Sequence, residues 1–254
     1  MENEKRQSER QNSDNLAVAV ALAFLLSTIL LFSLSASTVT ADASGPSFTI
    51  LSNSSRSTTQ GTQINTSGGY IYTVAMNATQ QNQRWKAFVG NISGKLTLDD
   101  VSANTVFDWN TTSTTGQVYA TRSGAAVTWS NVSCANSTEI ANEDISMALT
   151  NGADNITRTF SQQNHTPFYV GTRTINNNTC YSIHTYVNDA SQYISFQEMV
   201  MKDKGGAAFL FTTTIEVDAT GYNGNNFDFQ MIVPENGTAG WSSQTPYYFF
   251  VELI

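Results

Sequence analysis

Few side chains in this 254-residue sequence have the types and spacing that chemistry needs. His165 and His184 are its only histidines, and neither falls in an HExxH, a Cys/His pair or a local Ser/His/Asp setting. Both read as surface or turn residues. Glu198 and Glu216 flank an expected hairpin, where facing carboxylates could act as the acid and base of a glycosidase; two solvated strand acids are the plainer reading. Asp99-Asp100 follows an expected strand and could hold Ca²⁺ together with backbone carbonyls. No EF-hand or nonapeptide repeat accompanies the pair, so a solvated turn is favoured. Trp85, Trp109, Trp129 and Trp241 could stack on carbohydrate, although rings in alternating strands more often face a core. These residues imply no catalytic group, no cofactor and no bound metal, and an enzyme ranks behind a structural or a binding protein.

Two other residue types carry covalent chemistry. Cys134 and Cys180 are the only cysteines, and an even count in an exported chain reads as one disulfide. Closing that loop of about 47 residues removes unfolded-state entropy worth roughly 4 kcal/mol. Acceptor triplets for N-glycosylation start at Asn53, Asn65, Asn77, Asn91, Asn110, Asn131, Asn136, Asn155, Asn164, Asn177 and Asn236. That is about twice the number expected by chance in a chain this rich in Ser, Thr and Asn. The alternative is that such a chain accumulates triplets that carry no sugar.

Export is read from residues 16–34, LAVAVALAFLLSTILLFSL, which contain no charge. As a helix they reach roughly 28 Å, enough to cross a hydrocarbon core. Lys5, Arg6 and Arg10 precede the run and no basic residue follows before Arg56, so residues 1–15 stay cytoplasmic and the rest is exported. The run is either a membrane anchor or a long signal peptide, with Val39-Thr40-Ala41 as a cleavage site before Asp42. The localisation implied is the cell surface, anchored or released. The formal charge of −8 argues against nucleic acid as a partner.

The elements that must position these residues are mostly strands. Residues 35–69 are rich in Ser, Thr, Gly and Asn and read as a stalk, with a short strand near 48–51 where Phe48, Ile50 and Leu51 interrupt the polar run. An extracellular β domain then covers 70–254. Its expected strands are 70–76, 85–92, 95–98, 105–109, 117–122, 125–132, 168–175, 181–187, 194–201, 207–217, 227–233 and 247–253. Residues 202–206 form a hairpin connection, and the apolar run 246–254 reads as an interior strand buried on both faces. One helix is well marked: Asn136-Ser137-Thr138-Glu139 has capping-box spacing, Ala141, Ile145, Ala148 and Leu149 form its apolar face, and Asn151-Gly152 stops it. A second short turn covers 154–161. Short strands with few helices predict a mainly β fold, an antiparallel sandwich of immunoglobulin-like or jelly-roll-like type, beside the N-terminal hydrophobic helix.

Several longer blocks, RWKAFVGNISGKLTLDD (84–100), GQVYATR (116–122), WSNVSC (129–134), YNGNNFDFQMIVPENG (222–237) and PYYFFVEL (246–253), resemble a set of uncharacterised archaeal exported proteins. The resemblance implies an archaeal cell-surface protein without an established activity, and it places Cys134 and Cys180 where that family has its cysteines. The function expected is a structural, N-glycosylated surface protein, with a glycan- or cell-binding adhesin module as the alternative. Its partners would be the membrane, through residues 16–34 if these are uncleaved, and other copies of itself. Strand addition through the apolar island at 48–51 would join the copies into a filament or thread.

Overall fold

Antiparallel pairing accounts for every ladder among the described residues, as expected of short strands separated by tight turns. The structure is a computed structural model that describes residues 42–57, 60–109, 115–238, 240 and 243–254. The expected cytoplasmic segment 1–15, the hydrophobic helix 16–34, Asn110 and Trp241 lie outside the described residues. In chain order the elements are β1 Trp85–Gly90, β2 Leu96–Asp99, β3 Thr105–Trp109, β4 Gly116–Thr121, β5 Val132–Cys134, α1 Ser137–Ser146 and α2 Ile156–Thr159. There follow β6 Phe168–Val170, β7 Arg173–Ile175, β8 Ser182–His184, β9 Gln197–Asp203, β10 Phe209–Thr214, β11 Ala219–Thr220, β12 Asn226–Phe227, β13 Phe229–Pro234 and β14 Tyr248–Leu253. The fold is mainly β, with antiparallel sheets and few helices, consistent with a sandwich.

A six-stranded sheet in the order β14-β4-β10-β9-β5, with β8 also paired to β9, forms the centre. Side chains alternate across it, and both faces are apolar. Val118, Ala120, Val200 and Phe211 face α1, α2 and the β1–β13 ribbon, packing with Ile140, Leu149, Phe160 and Met231. Tyr119, Met199, Met201 and Leu210 face the other way, onto Trp129, Val132, Phe168 and Ile175. Because each face is covered, all six residues of β4 are buried. One edge of β9 is shared by two strands lying end to end, β5 opposite Met201–Asp203 and β8 opposite Gln197–Met199. Val200 stands at their junction, accepting from the Ala135 N–H and donating its own N–H to the Tyr181 carbonyl. Cys134 and Cys180 are bonded at that junction, with Cα atoms 4.8 Å apart.

Several expected elements differ in detail. Residues 70–76 form no strand, and their large apolar side chains are exposed. No strand occurs at 48–51 either; the nearest pairing is an isolated bridge from Ser44 to Val251. Residues 125–132 give a 3₁₀ turn, Trp129–Asn131, leading into the much shorter β5. The expected strand at 168–175 is a hairpin, β6–β7. The helix starts as expected, with Asn136 accepting from the Glu139 N–H and Glu139 reaching back to the Asn136 N–H. Its buried residues, however, are Ile140, Asp144, Met147 and Leu149; of the expected face only Leu149 is buried, and Ala141, Ile145 and Ala148 are exposed. The cause is Asp144, a polar residue on the inward side that accepts from the Ile156 and Thr157 N–H groups and the Thr157 hydroxyl, capping α2. Finally, β14 is not interior but an edge strand, paired among the described residues only with β4 and touched on its outer side by Ser44. Nor is it buried on both faces: only Glu252 is buried, Tyr248 is exposed and the other residues of the strand are half-buried.

Candidate functional site

The free side of β14 combines an unpaired edge with an aromatic groove. Ser44 donates to the Val251 carbonyl at 3.0 Å and accepts from the Val251 N–H at 2.8 Å, so the Val251 peptide points away from β4. By the two-residue repeat of a strand, the Phe249 and Leu253 peptides point the same way. No partner binds them among the described residues. Next to this edge lies a groove of about 390 Å³, lined by Pro46, Phe48, Lys86, Phe88, Thr245, Tyr247, Tyr248 and Phe249. Phe48 stacks on Phe249 with ring centroids 5.2 Å apart, and Phe88 meets Phe249 edge-on at 4.9 Å.

Its polar end is fixed. Lys86 lies over the Tyr247 ring, 5.1 Å from its centre, and donates to Glu235 at 2.9 Å and to the Thr245 carbonyl at 2.7 Å. Burial works against the Glu235 charge, but the Thr245 hydroxyl, Lys86 and the Asn236 N–H outweigh it and hold the acid below its ordinary range. Burial likewise pushes the Tyr247 phenol well up, and its hydroxyl donates to the Pro234 carbonyl. Beneath the edge, Glu252 accepts from the Tyr119 hydroxyl and the Gly171 N–H, both at 2.6 Å. Burial raises the Glu252 pKa, and those two bonds oppose it only in part. Gly116 sits opposite Leu253 at φ +141°, where a Cβ would meet the Glu252 carbonyl oxygen at 1.8 Å, so only glycine lets β14 lie this close to β4. Unpaired peptides beside rings and a neutralised cation suit an extended apolar segment, held by backbone hydrogen bonds and side-chain pockets.

No known protein family, curated protein or solved structure matches this chain. Its functional reading therefore rests on its own residues.

The residues singled out in the sequence are scattered. Glu198 is fully buried and accepts only from the Ile232 N–H, at 2.9 Å. The register sets Thr213 and Ile183 beside it, while Glu216 accepts from the Phe196 N–H, so the two acids form no facing pair. The Asp100 carboxylate is taken up by the Ser102 and Asn104 N–H groups and the Asn104 side chain, a closed turn. Among the described residues, no three His, Cys, Asp or Glu are grouped to hold a metal ion, and no helix is long and apolar enough to cross a membrane. His165 is buried: its Nδ1 bonds the Thr166 carbonyl at 2.8 Å, and its Nε2 accepts from the Thr179 and Cys180 N–H groups. His184 meets the Tyr193 ring edge-on. Burial lowers the pKa of both histidines.

Trp129 is in the core, Trp85 is half-buried with its indole N–H on the Asp154 carbonyl, and Trp109 is exposed on β3, perpendicular to Phe107. These three make no coplanar row. Asn53, Asn65, Asn77, Asn91, Asn131, Asn136, Asn164 and Asn177 are exposed, Asn236 is half-buried and Asn155 is buried. The groove residues Lys86, Phe88 and Thr245, with Glu235 paired to Lys86, are not legible as a site in the sequence, because β1 and β13 meet across more than a hundred residues of chain. The one local signal was the aromatic run at 247–250.

Proposed function

We propose that this protein is a structural, N-glycosylated cell-surface protein of archaeal type whose copies join by strand addition at β14. The N-terminal arm of one copy, residues 42–82, supplies the added segment, and the β14 edge and aromatic groove of the next copy receive it. The observation that carries this reading is the way the arm meets its own edge. Ser44 pairs with Val251 and Phe48 stacks on Phe249, yet Ile50, Leu51, Ile71 and Met76 are at least three-quarters exposed. A segment that reaches its own edge so briefly, with its other apolar residues uncovered, is suited to exchange. Each further apolar side chain buried on a neighbour contributes roughly 2 kcal/mol. Head-to-tail addition of this kind does not close, so it yields a thread. Residues 16–34 would tether the first copy to the membrane or be removed on export.

A surface domain of immunoglobulin-like or jelly-roll-like type, its two layers being the six-stranded sheet and the β1–β13 ribbon, belongs to the same proposal. The alternative is a glycan- or cell-binding adhesin module; Phe107 and Trp109 are perpendicular and by themselves make no flat stacking platform for it. The test compares residues 42–254 with the same chain carrying Phe48→Ser, Ile50→Ser and Leu51→Ser, by light scattering. The parent is expected to grow with concentration and time and the variant to remain monomeric. Two indistinguishable monomers at high concentration would overturn the reading.

A further inference from the structure

Both rims of the aromatic groove are open strand edges, and the arm carries a second segment of strand type that forms no ladder among the described residues. We infer that the arm of one copy adds two strands to the next: beside the stretch received by β14, residues 70–76 pair with the free edge of β1. This rests on the proposed joining of copies at β14 and names the other half of the receiving site. The Glu235 N–H is bonded to the Arg84 carbonyl, so along the ladder the Lys86 and Phe88 peptides face β13, while those of Ala87 and Val89 point away. Ile232, opposite Ala87, shows the same phase, because its N–H leaves β1 for the Glu198 carboxyl at 2.9 Å. Among the described residues nothing binds the Ala87 and Val89 peptides, and both residues are exposed. The usual guard of an open edge, an outward charge, is missing here. Lys86 is the one charged residue of β1, and it is drawn into the groove by Glu235 and the Thr245 carbonyl.

The segment YIYTVAM at 70–76 suits that edge. It carries no charge and is rich in β-branched and aromatic types, yet it forms no strand of its own. Tyr70, Tyr72, Val74 and Met76 alternate with Ile71, Thr73 and Ala75, so in an extended segment those four large side chains share one face. Laid along β1, that face covers Phe88 and the groove beside it. Tyr70, Ile71, Tyr72, Val74 and Met76 are each at least half exposed, and the contacts of Tyr72 with the Tyr70 ring and the Ser67 N–H lie within the arm. Its seven residues match the six of β1 in length. Residues 49–69, 21 in all, separate the segment from Phe48 and reach up to roughly 70 Å when extended. A copy that receives residues 44–48 on β14 is therefore within reach of 70–76 as well. Backbone bonds to β1 then supply affinity, and alternate side chains fill the groove from its second rim.

The experiment uses the full chain made in its native cells, where the bond between Cys134 and Cys180 leaves no other thiol. Val74→Cys and Val89→Cys are introduced into one chain, and the recovered protein is treated with a short bis-maleimide linker. A ladder of covalently joined copies is expected on a denaturing gel, and neither single variant is expected to give one. Linked monomers without a ladder would put 70–76 on the β1 edge of its own copy and overturn the inference, as would the absence of any link. A second variant, Ala87→Pro with Val89→Pro, removes two outward N–H groups and spares the bonds to β13. Cooperative melting checks that it folds; if it does not, the linker result decides alone. Its particles are expected to be several-fold lighter than the parent's by light scattering. Particles equal to the parent's would overturn the second strand while addition at β14 stands. A parent that stays monomeric would sink addition at β14, and the second strand with it.

Discussion

Glu198→Gln should flatten the fall of stability with rising pH. Glu198 projects from β9 toward β13 with no exposed surface, and the Ile232 N–H is the single donor its carboxyl has. Burial, opposed only by that bond, pushes its pKa well above the ordinary 4.5. The folded protein therefore keeps a proton that the unfolded chain gives up near 4.5. Stability from this group is complete below that value and drains away as pH rises toward the folded pKa. Each pH unit in that window costs about 1.4 kcal/mol, a large share of the 5–15 kcal/mol typical of a domain. Glutamine keeps the shape and the carbonyl that accepts from Ile232 but cannot ionise. Urea unfolding of residues 42–254 and of the variant at pH 4.5, 5.5, 6.5 and 7.5 gives the two slopes. Glu252 and both histidines titrate in both proteins and cancel in the difference. The parent is expected to lose stability more steeply than the variant, by at most about 1.4 kcal/mol per unit. Parallel slopes would refute the argument that Glu198 is held protonated.

The imidazole of His165 accepts two backbone N–H groups and must stay neutral in the fold, so its folded pKa lies below 6.5 and its stabilisation is lost as pH falls from 6.5 through that value. An NMR titration of the ring that turns above 6.5 would contradict this. Replacing Cys134 and Cys180 by Ser is expected to cost roughly 4 kcal/mol in a urea melt, and a loss below about 1 kcal/mol would argue against the chain-entropy account. Gly116→Ala drives a methyl into the Glu252 carbonyl and is expected to cost about 3 kcal/mol, with hydrogen exchange accelerating in β14 first; an unchanged exchange pattern would count against it.

What the sequence disclosed depended on how local the cause was. The capping box at Asn136 and Glu139 is complete within four residues, and the helix starts there. The inward face of that helix was misread because Asp144 answers to Ile156 and Thr157, twelve and thirteen residues on, and a pattern of apolar residues cannot register a carboxylate wanted inside. The run at 246–254 is apolar on both sides, but it is an edge strand with only Glu252 buried, because side-chain alternation is silent about a strand's two edges and about how far each face is covered. Glu198 and Glu216 failed to meet because a hairpin drawn from sequence lacks a register, and here Thr213 takes the opposing place. The aromatic groove needs β1, β14 and the arm at once, so no single stretch announced it.

The bond between Cys134 and Cys180 turns 46 steps of chain, with both helices and the β6–β7 hairpin inside, into a closed covalent ring. A protease that cuts once anywhere within that ring opens it without releasing a fragment. Both new ends remain tied through the sulfurs to the segments that lie along one edge of β9, and the pieces can separate only after a reductant has also acted. At the proposed cell surface, where peptidases are common and thiols scarce, the most elaborated part of the domain could thus be nicked and kept.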